Sequence, residues 1–290
     1  MAVPRPGYAR RMPHAEVRAL LVPLDGSDFS AAAVPVAADL ARRFGGRVDL
    51  LSVVDPDGDR EARERELAAL TVPGVELTRT VVAAGDPAAA IGEALGTGDR
   101  VVCMATHGRA RSAALVGSVA HDVITRSRAP LILTCPYVRP VGGGRGVLGC
   151  VDPSDTSGAV VPATLEWARR LGEPAVVATV AENVPAPVTG GPVRRAFGPD
   201  GDPQRFLDEV VAEAGVEGDV TTRVVEDPIS VWSGLYHHLR QRPATLLVVS
   251  TRSRRGLARA ALGSVAAQIV RHSPAPVLLV PRRPHGEPDG

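Results

Sequence analysis

Apolar and polar positions along this chain fall into short blocks whose period switches repeatedly. "ALLVPL" (19–24) is a continuous apolar run of strand length. The next block has helical spacing and predicts a helix from Ser30 to Phe44, stopped by Gly45 and Gly46. "VDLLSVV" (48–54) reads as a second strand, followed by a charged helix at about 59–70. "VELTRTVVA" (75–83) begins with strict alternation, the pattern of an edge strand. "DPAAAIGEAL" (86–95) predicts a helix with Asp86 as N-cap and Pro87 at its first position. "RVVCMAT" (100–106) is a fourth strand, a helix runs from Gly117 to Arg126, and "LILTC" (131–135) is the last strand of this half. The second half repeats the alternation, with strands near 147–151, 175–181, 219–225, 245–250 and 276–280. Short apolar strands separated by helices predict parallel βαβ units with right-handed crossovers. Runs with no polar face imply helices on both sides of the sheet.

The repetition extends to individual residues. "DGSDFSAAAVPVAADLARRFG" (25–45) aligns without a gap on "DPSDTSGAVVPATLEWARRLG" (152–172). "GSVAHDVITRSRAPLIL" (117–133) aligns on "GSVAAQIVRHSPAPVLL" (263–279). The landmarks occur in the same order in both halves, which marks a duplication. The Pro/Gly-rich stretch "PYVRPVGGGRG" (136–146) suits a linker. The expected fold is therefore α/β: two tandem doubly wound domains, each a five-stranded, mostly parallel sheet with helices on both faces. The boundaries are an N-terminal arm (1–15), domain 1 (16–137), a linker (138–145), domain 2 (146–282) and a C-terminal tail (283–290).

Composition narrows the function. A length of 290 residues fits two domains. A net charge of +1 and 3% aromatic residues argue against a nucleic-acid partner, which would need a basic footprint and stacking platforms. All 33 basic residues are arginine. Without lysine there is neither a P-loop lysine nor a Schiff-base amine. Cys103, Cys135 and Cys150 each sit in an apolar run read as a strand. They are odd in number and lack C-x-x-C spacing, which predicts reduced, buried thiols in a cytoplasmic protein. No apolar run reaches the roughly 20 residues of a membrane span, and the N-terminus has no signal-peptide apolar region.

Candidate chemistry lies at strand carboxyl ends, where open parallel sheets bind ligands. Asp25 and its twin Asp152 follow the first strand of each half. A carboxylate there either accepts hydrogen bonds from a ribose or base, or closes an Asx turn. The second candidate is the stretch from strand four into the following helix, "MATHGRARSAALVGSVAHDV" (104–123). Gly108 permits close backbone approach, and the Gly117-Ser118-Val119 run opens a helix whose N–H groups favour an anion. Arg109 and Arg111 lie between and can reach phosphate oxygens. The alternative is an ordinary glycine-bearing strand-to-helix loop with a serine cap. His107 is equally a structural or a ligand-facing residue. His237 and His238 are adjacent on a helix, diverge, and make a poor metal pair. Trp167 and Trp232 are expected in the core.

The combined order of motifs resembles the universal stress protein family over about 17–136 and 146–282. The features that carry the resemblance are "VPLDGSDFS", Gly85-Asp86-Pro87, the Gly-Ser-Val runs and the terminal "PAPVLLVP". ATP-binding members carry Gly-x2-Gly-x9-Gly-Ser/Thr after strand four. The resemblance implies an ATP site, with or without Mg2+, in which Asp25 lies near adenine and ribose and the Val53 backbone meets the adenine. Gly108, Gly117, Ser118 and Val119 would hold ribose and phosphates, with Arg109 alongside. In the second half the corresponding residues are Asp152, Val180, Gly263, Ser264 and Val265. Both halves depart from the pattern. Ala105 replaces the first glycine of domain 1, whose spacer (109–116) has eight residues. Ser250 and Ser253 replace the two leading glycines of domain 2. Domain 1, which keeps Gly108, is the better nucleotide candidate. The insert 183–203 could be a lid or a plain loop.

The expected function is a non-enzymatic stress-response protein in which nucleotide occupancy controls partners or assembly. The alternatives are a weak ATPase or nucleotidyl-transfer enzyme of the same adenine-nucleotide group, and a nucleotide-free structural interaction protein. The family also implies that the two last strands, "LILTC" and "VLLV", pair antiparallel. Here that predicts an intrachain pseudo-dimer, with a further homodimer as an open question.

Overall fold

β1 (Ala19–Leu24) is buried along nearly its whole length, as its unbroken apolar run requires. It lies at the centre of the first half in a computed structural model. The model describes residues 16–96, 98–106, 116–135, 138, 144–153, 157–182, 197, 201–227, 229–251 and 264–281. The arm 1–15, nearly all of the insert 183–203 and the tail 283–290 lie outside the described residues, as does 139–143 of the linker.

The first half continues with α1 (Asp28–Ala31), α2 (Ala33–Phe44), β2 (Arg47–Val54), α3 (Arg60–Ala69) and β3 (Leu77–Ala83). It closes with α4 (Pro87–Leu95), β4 (Arg100–Ala105), α5 (Ser118–Arg126) and β5 (Leu131–Thr134). The second half runs β6 (Val147–Cys150), a 3-10 turn at Ser157–Ala159, α6 (Val160–Leu171), β7 (Ala175–Glu182), α7 (Pro203–Glu213) and β8 (Val220–Asp227). α8 (Val231–Gln241), β9 (Leu246–Ser250), α9 (Ser264–His272) and β10 (Val277–Val280) complete it.

The ten strands among the described residues form one sheet in the order β3-β2-β1-β4-β5-β10-β9-β6-β7-β8. Within each half the pairing is parallel, and each half has the doubly wound 3-2-1-4-5 order. The two halves meet at one antiparallel pair, β5 with β10, in register Val277↔Leu133, Leu278↔Ile132 and Leu279↔Leu131. Strand side chains alternate between two cores. Leu20, Val22, Ile132 and Leu278 face α2 and α6, whereas Leu21, Leu131, Leu133 and Leu279 face the layer of α4, α5, α8 and α9. β3, whose alternation predicted an edge strand, is at one edge, and β8 is at the other.

Capping chemistry sets the helix boundaries. Asp59, Asp86, Asp202 and Ser230 each accept a hydrogen bond from a first-turn N–H of the following helix. Gly45 and Gly172 end α2 and α6 at φ 69° and 65°, a left-handed conformation in which a side chain would be strained. The first helix starts earlier than its apolar spacing predicted. Ser27 is its N-cap, accepting from the Ser30 N–H, and Asp28 fills the first turn, where the dipole favours an acid. A turn at Ala32 then separates α1 from α2. Cys135 lies just beyond β5 rather than within it, buried, with its thiol donating to the Ser273 carbonyl at 3.0 Å.

The halves also touch away from the sheet. Phe44 and Trp167 meet edge to face, with ring centroids 6.3 Å apart. Arg43 bridges to Glu173 at 2.7 Å, and Glu173 also accepts from the Gly146 N–H at 2.9 Å.

Candidate functional site

In a 3-2-1-4-5 sheet the strand order reverses between β1 and β4, which opens a crevice at their carboxyl ends. The chain leaves β1 through Asp25-Gly26-Ser27. Asp25 Oδ1 accepts from the Ser27 N–H at 2.9 Å and from the Ser27 hydroxyl at 2.6 Å. The Asx turn is therefore formed. Asp25 also lines a cleft of about 370 Å³, so the two readings of this carboxylate coexist. Val53, Val54 and Asp55 from β2, Ala84 past β3 and Pro87 at the start of α4 line the same cleft, closed on one side by α3.

The structure thus brings Asp25 and Val53 together. Gly117, Ser118 and Val119 lie on the same rim, past β4, but not in the lining of this cleft. The Gly117 N–H donates to the Thr106 carbonyl at 2.8 Å, which ties the start of α5 to the end of β4. Gly117 is the N-cap and offers no side-chain cap. First-turn N–H groups have no intrahelical acceptor, so the helix presents donors and a positive dipole end at the crevice. Gly108 and Arg109 lie outside the described residues.

Two residues missed from the sequence fix the geometry of both rims. The buried Ser52 hydroxyl donates to the Leu24 carbonyl at 2.8 Å, and the buried Thr179 hydroxyl donates to the Val151 carbonyl at 2.9 Å. Each bond pins the end of strand one to strand two beside Val53 or Val180. The signal was a hydroxyl inside an apolar strand at the same repeat offset as Asp25 and Asp152.

The second rim differs. Asp152 is half-buried, Ser250 ends β9, and Ser264 and Val265 open α9, whereas Ser253 and Gly263 lie outside the described residues. Val180 is 5% exposed, beneath α8. A Cβ built on Gly234 would stand 2.9 Å from Val180 Cγ1 and 2.8 Å from Asp227 Cβ, so α8 presses directly on this position. Asp227 Oδ1 accepts from the Ser230 N–H at 3.0 Å and the Ile229 N–H at 2.8 Å. These bonds, the Ser230 one foremost, hold its carboxyl below the usual carboxylate range.

The histidines diverge as expected. The His237 side chain is exposed, with Nδ1 3.7 Å from Asp227 Oδ2, while burial beside Arg223 and Arg242 lowers the pKa of His238. Trp167 is buried, and Trp232 is half-buried, packed against the core with Tyr236 and His272 beside it. Burial pushes the Cys103 thiol up to about 12, so it is no nucleophile at neutral pH. Among the described residues no group of three or more His, Cys, Asp or Glu could hold a metal ion. No helix among them is long and apolar enough to cross a membrane.

Comparison with known proteins agrees with this architecture. A universal stress protein from Archaeoglobus fulgidus superposes over 92% of this chain and 99% of its own, with a TM-score of 0.64 at 18% identity. A functionally unknown protein from Pseudomonas aeruginosa PAO1 covers 92% of this chain and 94% of its own, with a TM-score of 0.60 at 14% identity. A universal stress protein solved in complex with cAMP matches 48% of this chain and 98% of its own at 24% identity, with a TM-score of 0.36. No curated protein matches in sequence. The model of the Universal stress protein family matches residues 16–69 and 145–281, in both halves of the repeat. The chain therefore belongs to the universal stress protein family, as two doubly wound domains in tandem.

Proposed function

We propose that this chain is a non-enzymatic stress-response protein whose first domain (16–137) binds an adenine nucleotide, ATP with Mg2+, and whose occupancy controls a partner or an assembly. The observation that carries this reading is the cleft at the carboxyl ends of β1 and β2, where Asp25 and Val53 meet. The N-terminus of α5 lies on the same rim, where the strand order reverses. Its volume of about 370 Å³ falls within the range of small-ligand sites. Four carboxylates and one arginine line it, which suits a base and ribose. The phosphates suit the N–H groups of Gly117, Ser118 and Val119.

Occupancy is one nucleotide per chain, because α8 covers Val180 in the second domain (146–282) where its counterpart Val53 is open to the cleft. The β5–β10 pair, the Phe44–Trp167 contact and the Arg43–Glu173 bridge support reading the two domains as an intrachain pseudo-dimer. A chain cut at a protease site placed at Gly143 should keep its halves together in sedimentation. Separate monomeric halves would refute the pseudo-dimer.

The test of function is mass-spectrometric identification of small molecules released from gently purified protein, with ATP titration calorimetry. ATP or AMP near one per chain, lost in Gly117→Val and retained in Gly263→Val, is the expected result. An empty protein giving no heat of binding refutes the reading in favour of a nucleotide-free interaction protein. Rapid stoichiometric turnover refutes it in favour of an ATPase or nucleotidyl-transfer enzyme.

A further inference from the structure

The first-half cleft has one cation in its described lining, Arg63 of α3, among the carboxylates of Asp25, Asp55, Asp59 and Glu66. Its side chain is 15% exposed. One guanidinium N–H donates to Glu66 Oε2 at 2.5 Å, and another donates to the main-chain carbonyl of Asp25 at 3.3 Å. The guanidinium also fills the space above Gly26: a Cβ built there would stand 1.9 Å from an Arg63 nitrogen. Gly26 has φ +80°, so a side chain at this position is strained by conformation and would displace the Arg63 guanidinium. The β1–α1 turn and Arg63 are therefore fitted to each other across the mouth of the cleft.

Among the described residues the second half shows neither part of this arrangement. Pro153 stands in register with Gly26, and its ring fixes φ near −65°. The residue as far past the N-cap of α7 as Arg63 is past that of α3 is Phe206. Among the described residues, the pairing of a bare glycine turn with a guanidinium occurs in the first half, beside its cleft.

We propose that Arg63 is a positioning residue of the first-half site: a latch that ties α3 to the Asp25-Gly26-Ser27 turn and so places Asp25 for the base-and-ribose end of a nucleotide. The inference rests on the reading of this cleft as a nucleotide site. A planar guanidinium bridges two acceptors, Glu66 on its own helix and the carbonyl across the cleft. A lysine ammonium keeps the charge but lacks the fork that reaches both.

The test compares the unaltered chain with Arg63→Met and Arg63→Lys. Affinities for adenosine and for ATP are measured by calorimetry well below the melting temperature. Hydrogen exchange of the amides of Gly26 to Ser30 is measured without ligand. The latch predicts faster exchange in this segment for Arg63→Met, and a loss of about tenfold in affinity for adenosine and ATP alike. Arg63→Lys should recover less than half of that loss. A loss confined to ATP would make Arg63 a phosphate ligand and overturn the latch. Lower melting temperature with unchanged affinities and unchanged exchange would overturn it as well. If the unaltered chain binds neither ligand, the proposed function falls, and the exchange measurement alone then upholds or overturns the latch.

Discussion

Gly149 and Thr164 test how closely the second half is packed. Gly149 lies in β6, between β7 and β9, and Thr164 in α6 is fully buried above it. A Cβ on Gly149 would stand 2.2 Å from Thr164 Oγ1 and 3.1 Å from Val160 Cγ1. The Thr164 hydroxyl donates to the Val160 carbonyl at 2.7 Å, so it cannot swing away without losing that bond. Gly149→Ala therefore carries an overpacking cost of about 1–3 kcal/mol plus about 1 kcal/mol for the hydrogen bond. The sum is about 2–4 kcal/mol, which lowers Tm by about 3–7 °C in a chain of this size. The first half solves the same contact in reverse: the register-equivalent residues are Val22 in β1 and Ala37 in α2, both fully buried. Large on the strand and small on the helix has become small on the strand and large on the helix. Thr164→Ala alone should cost about 1–2 kcal/mol as a cavity. The double variant Gly149→Ala/Thr164→Ala should be more stable than the sum of the singles by about 1–3 kcal/mol. Urea unfolding of all four proteins gives this coupling. Additive effects, or a Gly149→Ala protein as stable as the parent, would refute the packing argument.

Three further outcomes follow from the geometry. Asp49 is 5% exposed, accepts from Thr78 Oγ1 at 2.7 Å, and lies 2.9 Å from both Arg47 Nε and Arg100 Nε. Asp49→Asn should lower urea-derived stability by about 1–2 kcal/mol, discounted because both arginines are partly exposed, and an unchanged midpoint would contradict that. Because the folded carboxyl of Asp227 is held low, its contribution is present above the unfolded carboxylate pKa and disappears as pH falls through the folded value. Asp227→Asn should therefore flatten the fall of Tm between about pH 5 and about pH 3, and an equally steep acid limb would count against the role of its bonds to Ser230 and Ile229. Gly26→Ala should open the first-half cleft and weaken nucleotide binding in calorimetry, whereas Gly92→Ala, on an exposed face of α4 with nothing within 4 Å, should leave binding unchanged.

Sequence periodicity located all ten strands, because each is a short apolar run or an alternating edge. It placed the caps at Asp86 and Gly45, since these chemistries are local. It missed the early start of α1, because Ser27 and Ser30 are both good caps and only the backbone decides between them. Helical spacing showed that Trp232 faces inward, but not how far the neighbouring helix extends over it, and it is half-buried. Asp25 was legible through the repeat and Val53 through the family resemblance, but Arg63 was not. Its reach across to Gly26 depends on how α3 crosses the sheet, and no spacing in the chain encodes that. Ser52 and Thr179 were visible as hydroxyls in apolar strands, but their role appears only when the accepting carbonyl on the neighbouring strand is known.

The antiparallel junction at β5 and β10 also fixes a direction. The strands of the two halves run oppositely, so their carboxyl ends lie on opposite rims of a sheet about 43 Å wide. Two identical subunits joined by a twofold axis must show the same rim twice, and any change in one is imposed on the other. Fusion into one chain lifts that constraint. Gly26 and Arg63 can be kept at one rim while Pro153 and Phe206 accumulate at the other. The molecule thereby has a head and a tail, and whatever docks on one end meets a surface that the other end does not copy.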